Sequence, residues 1–239
     1  MRLDLPEGFA GIRVVGDVHG EAEAFRAAIA GAEAARLFVL QIGDLTDHGP
    51  DSPGVLAAML ALIDRRAGLF LLGNHDHKLR RALLGQKVAA EAGGLDATLA
   101  QLARHPDGAA LATRAIAAIA RAPAWLVWRD ALFVHGGFHP AMLTEPSPPE
   151  AGVRRPDGLV ARALFGQTVK GALTEAGYPV RVLDWVDHIP AGLMVYCGHD
   201  NRSSDGRPHI VDGARGGRAV FLDTGAGKGG HLSWIDLAT

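Results

Sequence analysis

A buried strand that ends in an acidic corner constrains the fold of this sequence more than any other feature. A corner here is the short loop that directly follows a strand and carries polar side chains. The run at residues 37–42 is apolar except for Gln41, which is typical of a strand inside an α/β sheet. Gly43 and Asp44 follow it, at the carboxyl end of the strand, where open α/β sheets carry their functional groups. Because a carboxylate has two acceptor oxygens, we expect Asp44 to bridge two metal ions.

Four other corners follow apolar runs in the same way and carry similar polar side chains. Carboxylate, imidazole and amide ligands without thiolates suit manganese, iron, zinc or cobalt. Each short motif also occurs by chance in unrelated chains, but five such corners in series favour one shared metal site. The expected metal ligands are Asp17, His19, Asp44, Asn74, His135 and His199.

Strand and helix patterns alternate through the first third of the chain. Short connections between them favour right-handed βαβ units and a parallel sheet. The predicted strands cover residues 12–15, 37–42 and 69–72, and the predicted amphipathic helices cover 21–35 and 52–66. Residues 78–122 are rich in leucine and alanine and predict a helical excursion, which is either a partial lid over the site or a structural buttress.

The second half of the chain is predicted to consist mainly of short strands: a hairpin, one buried strand before His199, and a closing antiparallel meander. In order, these cover 125–128 with 131–134, then 193–197, then 210–211, 218–223 and 232–235. No linker or internal repeat divides the sequence, so residues 1–239 are expected to form a single α/β domain.

The composition excludes several classes of protein. Hydrophobic residues make up 48% and charged residues 21% of the chain, as in an ordinary globular protein. A net charge of −2 gives no bulk attraction to nucleic acid or to an anionic membrane, so an RNA end is the only nucleic-acid partner expected. A lone cysteine rules out an intramolecular disulfide, and no apolar window approaches the roughly 20 residues of a membrane span. We expect a cytoplasmic protein without a membrane partner.

The expected metal pair indicates a reaction type. Two cations that share a carboxylate lie about 3.5–4 Å apart, which matches a phosphate held by both, and they lower the pKa of a bound water toward about 7. The leaving group then needs a proton, and His75 is placed to donate it if a carboxylate orients its ring. The sequence therefore predicts hydrolysis of a phosphoester or phosphoanhydride by attack of a metal-bound hydroxide.

These corners resemble those of the calcineurin-like metallophosphoesterases, in the phosphoprotein-phosphatase branch, and the resemblance covers most of the chain. The segments 73–85, 164–168 with 184–185, and 222–225 are most similar to the stand-alone bacterial dinucleoside tetraphosphatases and to the phosphatase domain of bacterial polynucleotide kinase–phosphatase. The resemblance implies a four-layer αββα sandwich, in which two mixed β-sheets pack face to face with helices outside.

The resemblance also implies a role for each corner. Asp17, His19 and Asp44 would hold a first divalent ion, and Asp44, Asn74, His135 and His199 a second, with manganese favoured over iron, zinc and cobalt. His75 would be the general acid and Asp47 the carboxylate that orients it, with Asp76 the less favoured orienter. Asp223 resembles a family aspartate that lines the site.

Position 48 departs from the family pattern. The family usually has Asp-Arg-Gly, whose arginine grips the phosphate, where this chain has Asp47, His48 and Gly49. A histidine has no bidentate fork and is charged only near or below its usual pKa of about 6.5. Either an arginine elsewhere supplies the grip, or His48 changes substrate choice and lowers the pH optimum. The arginines considered are Arg80, Arg81 and Arg202, and the expected substrate-binding set is His48, Arg80, Arg81 and Asp223.

Two further segments are unusual. Asp200 follows His199 where relatives tend to have threonine, which adds a carboxylate near the second metal ion. Residues 225–230 are glycine-rich and include Lys228. Such a run is either an ordinary loop or a cradle that binds an anion through its backbone amides.

A dinucleoside polyphosphate or another small nucleotide is the favoured substrate. The alternatives are a phosphoprotein, which would make the protein a serine/threonine phosphatase, and an RNA end acted on by a phosphatase or phosphodiesterase. A different class of function is a metal-loaded protein that binds phosphorylated ligands without turnover. His48 favours that class, whereas the presence of every expected ligand and of His75 favours a hydrolase. The oligomeric state is left open.

Overall fold

Two β-sheets face each other at the centre of the protein, and helices cover their outer faces. The computed structural model describes residues 2–88, 94–175, 177 and 179–239. The strands are β1 (Gly11–Val15), β2 (Leu37–Gln41), β3 (Gly68–Phe70), β4 (Trp125–Trp128), β5 (Ala131–Val134), β6 (Gln167–Leu173), β7 (Pro179–Val182), β8 (Met194–Cys197), β9 (His209–Asp212), β10 (Arg218–Phe221) and β11 (Trp234–Ala238). The helices are α1 (Ala22–Ala34), α2 (Ser52–Asp64), α3 (Asn74–Leu83), α4 (Leu95–Arg104), α5 (Gly108–Arg121) and α6 (Gly158–Phe165), with 3₁₀-helices at Pro140–Leu143 and Val186–His188.

Both sheets mix parallel and antiparallel strands, as predicted. The first has the order β11-β1-β2-β3, in which β1, β2 and β3 are parallel and β11 runs antiparallel to β1. The second has the order β4-β5-β8-β10-β9, with β5, β8 and β10 parallel between two antiparallel edge strands. β6 and β7 form a separate two-stranded ribbon.

Alternation along the strands divides the apolar residues between two cores. On β1, Ile12 and Val14 point into the space between the sheets, whereas Val15 packs with Phe25 and the other buried residues of α1. Complete burial of such a side chain contributes about 1.5–3 kcal/mol, so this pattern fixes which face of a strand meets the opposite sheet. Helices α1 and α2 cover the first sheet and α6 the second, which confirms the predicted four-layer αββα arrangement.

The last strand corrects the predicted closing meander. β9 and β10 pair antiparallel as expected, but β11 leaves the second sheet and pairs with β1 of the first. Ile235 and Leu237 pack against the inter-sheet core, and Asp236 meets Arg13. Arg13 donates two hydrogen bonds of 2.7 Å to Asp236 and one of 2.8 Å to the carbonyl oxygen of Ala28, so the ion pair fixes β11 beside β1.

The helical excursion predicted at 78–122 corresponds to most of α3 together with α4 and α5, and its residues 89–93 lie outside the described part of the chain. α3 begins earlier than predicted, at Asn74, inside one of the metal corners. α4 and α5 pack against α2, and two side chains of α4, Thr98 and Gln101, reach the loop after β2. These contacts favour the buttress over the lid. Within the described residues, no helix has the length and apolar character that crossing a bilayer requires.

Candidate active site and metal centre

The carboxyl ends of the parallel strands of both sheets meet at one edge of the protein. The loops after β1, β2, β3, β5, β8 and β10 bring Asp17 and His19, Asp44, Asn74, His135, His199 and Asp223 to this edge, respectively. Hydrogen bonds connect these loops, both between the two sheets and within the second sheet. The amide of His199 donates to the Asp17 carboxylate at 3.0 Å, and the amide of Gly198 donates to the carbonyl oxygen of His135 at 2.9 Å.

Asp44 lies at the centre of the cluster and is 1% exposed. Its Oδ2 atom is 3.3 Å from Nε2 of His135, 3.8 Å from Nε2 of His19 and 4.0 Å from Nε2 of His75. Two groups of possible metal ligands share it: Asp17, His19 and Asp44, and Asp44, His135 and His199, each with ligand atoms within 4.8 Å of one another. Asn74 joins the second group, since its Oδ1 is 3.0 Å from Nε2 of His135. All six expected ligands therefore converge around one carboxylate.

The two fully buried imidazoles of the cluster have a fixed orientation. Nδ1 of His19 donates to the carbonyl oxygen of Thr46 and Nδ1 of His135 to that of Ile42, both at 2.9 Å. Because a carbonyl oxygen only accepts, each Nδ1 carries the proton, and Nε2 faces Asp44. Metal-binding histidines in proteins are held in this way, by a hydrogen bond to the ring nitrogen away from the metal.

The charges of the cluster suit a cation. Burial raises the pKa of Asp17 well above its ordinary value, and the nearby Asp223 carboxylate raises it further. Burial by itself lowers the pKa of His135, but Asp44 and Asp17 outweigh this effect and raise it to about 9. Buried carboxylates in such number require compensating positive charge. Hard oxygen and imidazole ligands make a divalent transition metal a suitable source of that charge.

His75 and Asp47 form a pair beside the metal ligands. Nδ1 of His75 lies 2.5 Å from Oδ2 of Asp47, which leaves Nε2 on the side of Asp44. Burial lowers the pKa of His75, but Asp44 and Asp47 outweigh it and leave the pKa raised. Burial raises the pKa of Asp47, but the hydrogen bond from His75 outweighs it and leaves that pKa lowered. The pair is therefore suited to keeping a protonated imidazole next to an ionised carboxylate.

Asp76, the less favoured orienter, has a different environment. Its carboxylate accepts hydrogen bonds from the backbone amides of Gly73, Asp44 and Leu45 at 2.8–3.0 Å. Burial, together with the neighbouring Asp44, raises its pKa to about 6. Asp76 thus fastens the start of α3 to the corner after β2 and holds the backbone of Asp44 in place.

Helix α4 braces Asp47, which the sequence did not indicate. The hydroxyl of Thr98 donates to Oδ1 of Asp47 at 2.8 Å and lies 3.1 Å from the Asp47 amide. Gln101, one turn later, donates to the carbonyl oxygen of Gly49 and accepts from the amide of Ser52 at 3.0 and 2.8 Å. Both ends of the loop that carries Asp47 and His48 are thereby attached to α4.

Removing the Thr98 hydroxyl is expected to weaken catalysis through Asp47. Thr98→Val keeps the side-chain shape but removes the hydroxyl that donates to the buried Oδ1 of Asp47, so kcat should fall about 10-fold, while Thr98→Ser retains most of the rate. Steady-state kinetics of both variants measure this effect. Thr113→Val, which alters an exposed threonine bonded to the carbonyl oxygen of Ala109 in its own helix, is the matched control. Equal rates for Thr98→Val and Thr113→Val would exclude the positioning role.

The expected substrate-binding residues divide into two groups. The ring of His48 lies 5.0 Å from that of His19 and 5.5 Å from that of His75, and Asp223 is buried beside Asp17. Arg81 instead bonds to the side chain of Gln86 and the carbonyl oxygen of Lys87, near the end of α3. Arg80 affects the pKa of His77 in the same helix, and no contact described for either arginine reaches the metal ligands.

The contacts of two cationic features near the site could not be predicted from the sequence. Arg202 donates two hydrogen bonds to Asp200, at 2.7 and 2.9 Å, and Arg181 approaches the same carboxylate at 3.7 Å. The unusual Asp200 therefore pairs with arginines. Lys228 reaches the centre of the site, with its Nζ 3.1 Å from Nε2 of His19.

A fold of two facing sheets with buried aspartates and histidines at a shared edge, beside a His–Asp pair, defines a metal-dependent phosphoesterase. The chain belongs to the calcineurin-like phosphoesterase family, whose model matches residues 11–165. It is 29% identical over 196 residues to the bis(5'-nucleosyl)-tetraphosphatase PrpE (asymmetrical) of Geobacillus thermodenitrificans, a match that covers 80% of this chain and 72% of that protein. It is 28% identical over 198 residues to the PrpE protein of Halalkalibacterium halodurans, with the same coverages of 80% and 72%.

Solved structures share the fold. A candidate diadenosine tetraphosphatase superimposes with a TM-score of 0.58 at 21% identity, over 98% of this chain and 96% of that one. A protein serine/threonine phosphatase from Saccharomyces cerevisiae superimposes with a TM-score of 0.60 at 15% identity, over 98% and 81%. The family and the curated relatives together make this protein a hydrolase, so the alternative of a phospho-ligand binder without turnover is not retained.

Proposed function

We propose that this protein hydrolyses a phosphoanhydride bond of a dinucleoside polyphosphate with the help of two divalent ions. The observation that carries the proposal is the central Asp44 carboxylate, which two groups of ligands share beside the His75–Asp47 pair. We further propose that residues 1–239 act as a single domain in the cytoplasm, as the sequence predicts.

The proposed ligands follow the two groups. Asp17, His19 and Asp44 would hold one ion, and Asp44, Asn74, His135 and His199 the other. Manganese fits this mixture of oxygen and imidazole donors, as iron, zinc and cobalt do. When bound, such a pair supplies Lewis-acid polarisation of the phosphoryl group and a lowered pKa for water.

The residues of the chain supply the proton for the leaving group. Asp47 holds Nδ1 of His75, so Nε2 is the atom that faces the reacting group. The raised pKa of His75 favours the protonated imidazole, which can donate to the leaving oxygen. Asp47 stays ionised because its own pKa is lowered, and it stabilises the imidazolium before the transfer.

The choice of substrate rests on the curated relatives. Proteins that match 80% of this chain are named bis(5'-nucleosyl)-tetraphosphatases, which favours a dinucleoside polyphosphate. The likeness to a protein phosphatase, at 15% identity, concerns the fold alone. A net charge of −2 does not favour an extended nucleic-acid footprint.

A substrate panel with added manganese tests the proposal. We expect kcat/KM for diadenosine tetraphosphate to exceed that for a phosphoserine peptide, a cyclic nucleotide or a 3'-phosphorylated RNA by at least about 10-fold, a difference of roughly 1.4 kcal/mol. Chromatography of the products shows whether cleavage is asymmetrical. His75→Ala protein, purified in parallel, controls for contaminating phosphatases. A clear preference for the phosphopeptide, or no turnover of any substrate by manganese-loaded protein, would contradict the assignment.

A further inference from the structure

Lys228 is an exposed residue whose ammonium group points into the active site instead of into solvent. Its Nζ atom lies 3.1 Å from Nε2 of His19, the nitrogen that belongs to the first group of proposed ligands. Nδ1 of His19 donates to the carbonyl oxygen of Thr46 at 2.9 Å, so Nε2 is an uncharged acceptor and not an ionic partner for a lysine. The contact therefore needs another explanation.

The loop that carries Lys228 is built to hold it there. Gly227 has a φ of +70°, and a Cβ atom at this position would lie 2.6 Å from the carbonyl oxygen of His19 and 3.2 Å from the amide of Gly49. Only glycine permits so close an approach with a left-handed backbone. The Lys228 amide donates to the carbonyl oxygen of Gly225 at 3.0 Å, which closes a turn. The lysine is thus presented by a loop packed directly against His19 and the His48 segment.

The charged groups around Lys228 indicate that it binds an anion. The Asp223 carboxylate lies within electrostatic reach of the Lys228 ammonium. Oδ1 of Asp223 already accepts a hydrogen bond of 2.9 Å from the amide of Gly225. A lysine next to proposed sites for divalent cations is repelled unless a further anion is present. A substrate phosphoryl group supplies such an anion.

Two of the arginines considered for this task are engaged elsewhere. Arg202 bonds twice to Asp200, and Arg81 bonds to Gln86 and Lys87. His48, which stands where the family pattern has a phosphate-gripping arginine, is next to the same His19 ring that Lys228 approaches. The positive charge absent from position 48 is thus replaced, on the same side of the site, by a residue 180 positions later in the sequence.

We propose that Lys228 binds a non-bridging oxygen of the phosphoryl group under attack and takes over the role of the arginine that position 48 lacks. This inference rests on the proposed phosphoanhydride or phosphoester hydrolysis at the same site. Lysine binds phosphate as a point charge, without the geometric selectivity of a guanidinium fork. A lysine can therefore bind phosphoryl groups that carry different substituents.

Binding of inorganic phosphate to manganese-loaded protein, measured by calorimetry, tests the inference without requiring turnover. Lys228→Met should weaken phosphate binding about 10- to 100-fold, whereas Lys228→Arg should stay within a few-fold of the unmodified protein. Lys170→Met, which makes the same substitution at an exposed lysine of the β6–β7 ribbon, is the matched control. With p-nitrophenyl phosphate, the Lys228→Met variant should show both a raised KM and a lowered kcat.

A substitution at position 48 provides a second, independent test of the inference. If Lys228 and an arginine at 48 serve the same phosphate oxygen, His48→Arg should restore at least about 10-fold of the affinity lost in Lys228→Met. In the unmodified protein, His48→Arg should raise phosphate affinity by less, because Lys228 already binds that oxygen. Strictly additive effects of the two substitutions would contradict a shared role.

Three results would overturn the inference. One is phosphate binding by Lys228→Met equal to that of Lys170→Met, and another is no phosphate binding by the unmodified protein at millimolar concentrations. The third is tighter manganese binding by Lys228→Met with unchanged phosphate affinity, which would assign the lysine to competition with the metal at His19. Failure of the unmodified protein to hydrolyse any substrate, combined with Lys228-dependent phosphate binding, would refute the proposed function and leave only the phosphate-binding role of Lys228 in place.

Discussion

Asp44→Asn is expected to lower kcat by at least about 10³-fold, because both proposed ion sites lose the carboxylate that they share. Asparagine keeps the shape of the side chain and tolerates the positive φ of 62° at this position. It also keeps an oxygen to accept the 2.9 Å hydrogen bond from the amide of His75. The loss therefore reports on charge and ligation rather than on folding. Manganese content by plasma mass spectrometry should fall from a pair of ions to at most one per chain.

The control for this variant is Asp64→Asn, at the exposed end of α2. Asp64 pairs with Arg114 at 2.6 Å on the surface, where such a change alters stability by no more than about 0.5 kcal/mol. Its rate and manganese content should match those of the unmodified protein. An Asp44→Asn protein that kept a full pair of ions, or more than a tenth of the rate, would show that Asp44 is not the bridge.

The corners that carry the site were predictable because each is a local signal. An apolar run followed by Gly-Asp or Gly-Asn needs only a few consecutive residues, and parallel strands then bring their carboxyl ends to one edge. The family, which the resemblance of these corners indicated, and the two mixed sheets, which that resemblance implied, are confirmed. The roles of the individual ligands stay predictions, although the structure brings all six together.

The backbone conformations at these corners were not predictable. Five of the residues that form the site lie in the left-handed region, where aspartate and histidine occur more readily than most residues but still uncommonly. They are His19, Asp44, Asp47, His48 and His199, with φ between 44° and 76°. Strained conformations of this kind persist where the surroundings enforce them, as the amide contacts of Asp76 do for Asp44. Residue type alone gives no sign of this.

Contacts between segments far apart in the sequence also could not be predicted. Thr98 lies 51 residues from Asp47, and Lys228 lies 209 residues from His19. In the sequence Thr98 is one polar residue on an alanine-rich helix, and only the packing of α4 against α2 shows that it meets Asp47. The switch of β11 to the first sheet has the same origin, since alternation predicts a strand but does not identify its neighbour.

His75→Ala is expected to lower kcat by about 10²- to 10⁴-fold with an alkyl phosphomonoester, and by much less with p-nitrophenyl phosphate. A poor leaving group needs the proton that His75 donates, whereas nitrophenolate leaves readily without one. Manganese content should stay unchanged, because the ring of His75 is not among the proposed ligands. His188→Ala, at an exposed histidine, is the control. Equal losses with both substrates would instead indicate that His75 positions the substrate.

The pH dependence of kcat in Asp47→Asn tests whether Asp47 acts by raising the pKa of the general acid His75. Asp47 contributes to the raised pKa of His75, and the imidazole donates only while it is protonated. Removal of the Asp47 charge lowers that pKa, so His75 loses its proton at lower pH and the alkaline limb of the kcat profile should move to lower pH. His75→Ala should abolish this limb altogether. An unchanged limb in Asp47→Asn would mean that another group sets it, and the assignment of His75 as general acid would then fail even if His75→Ala were inactive.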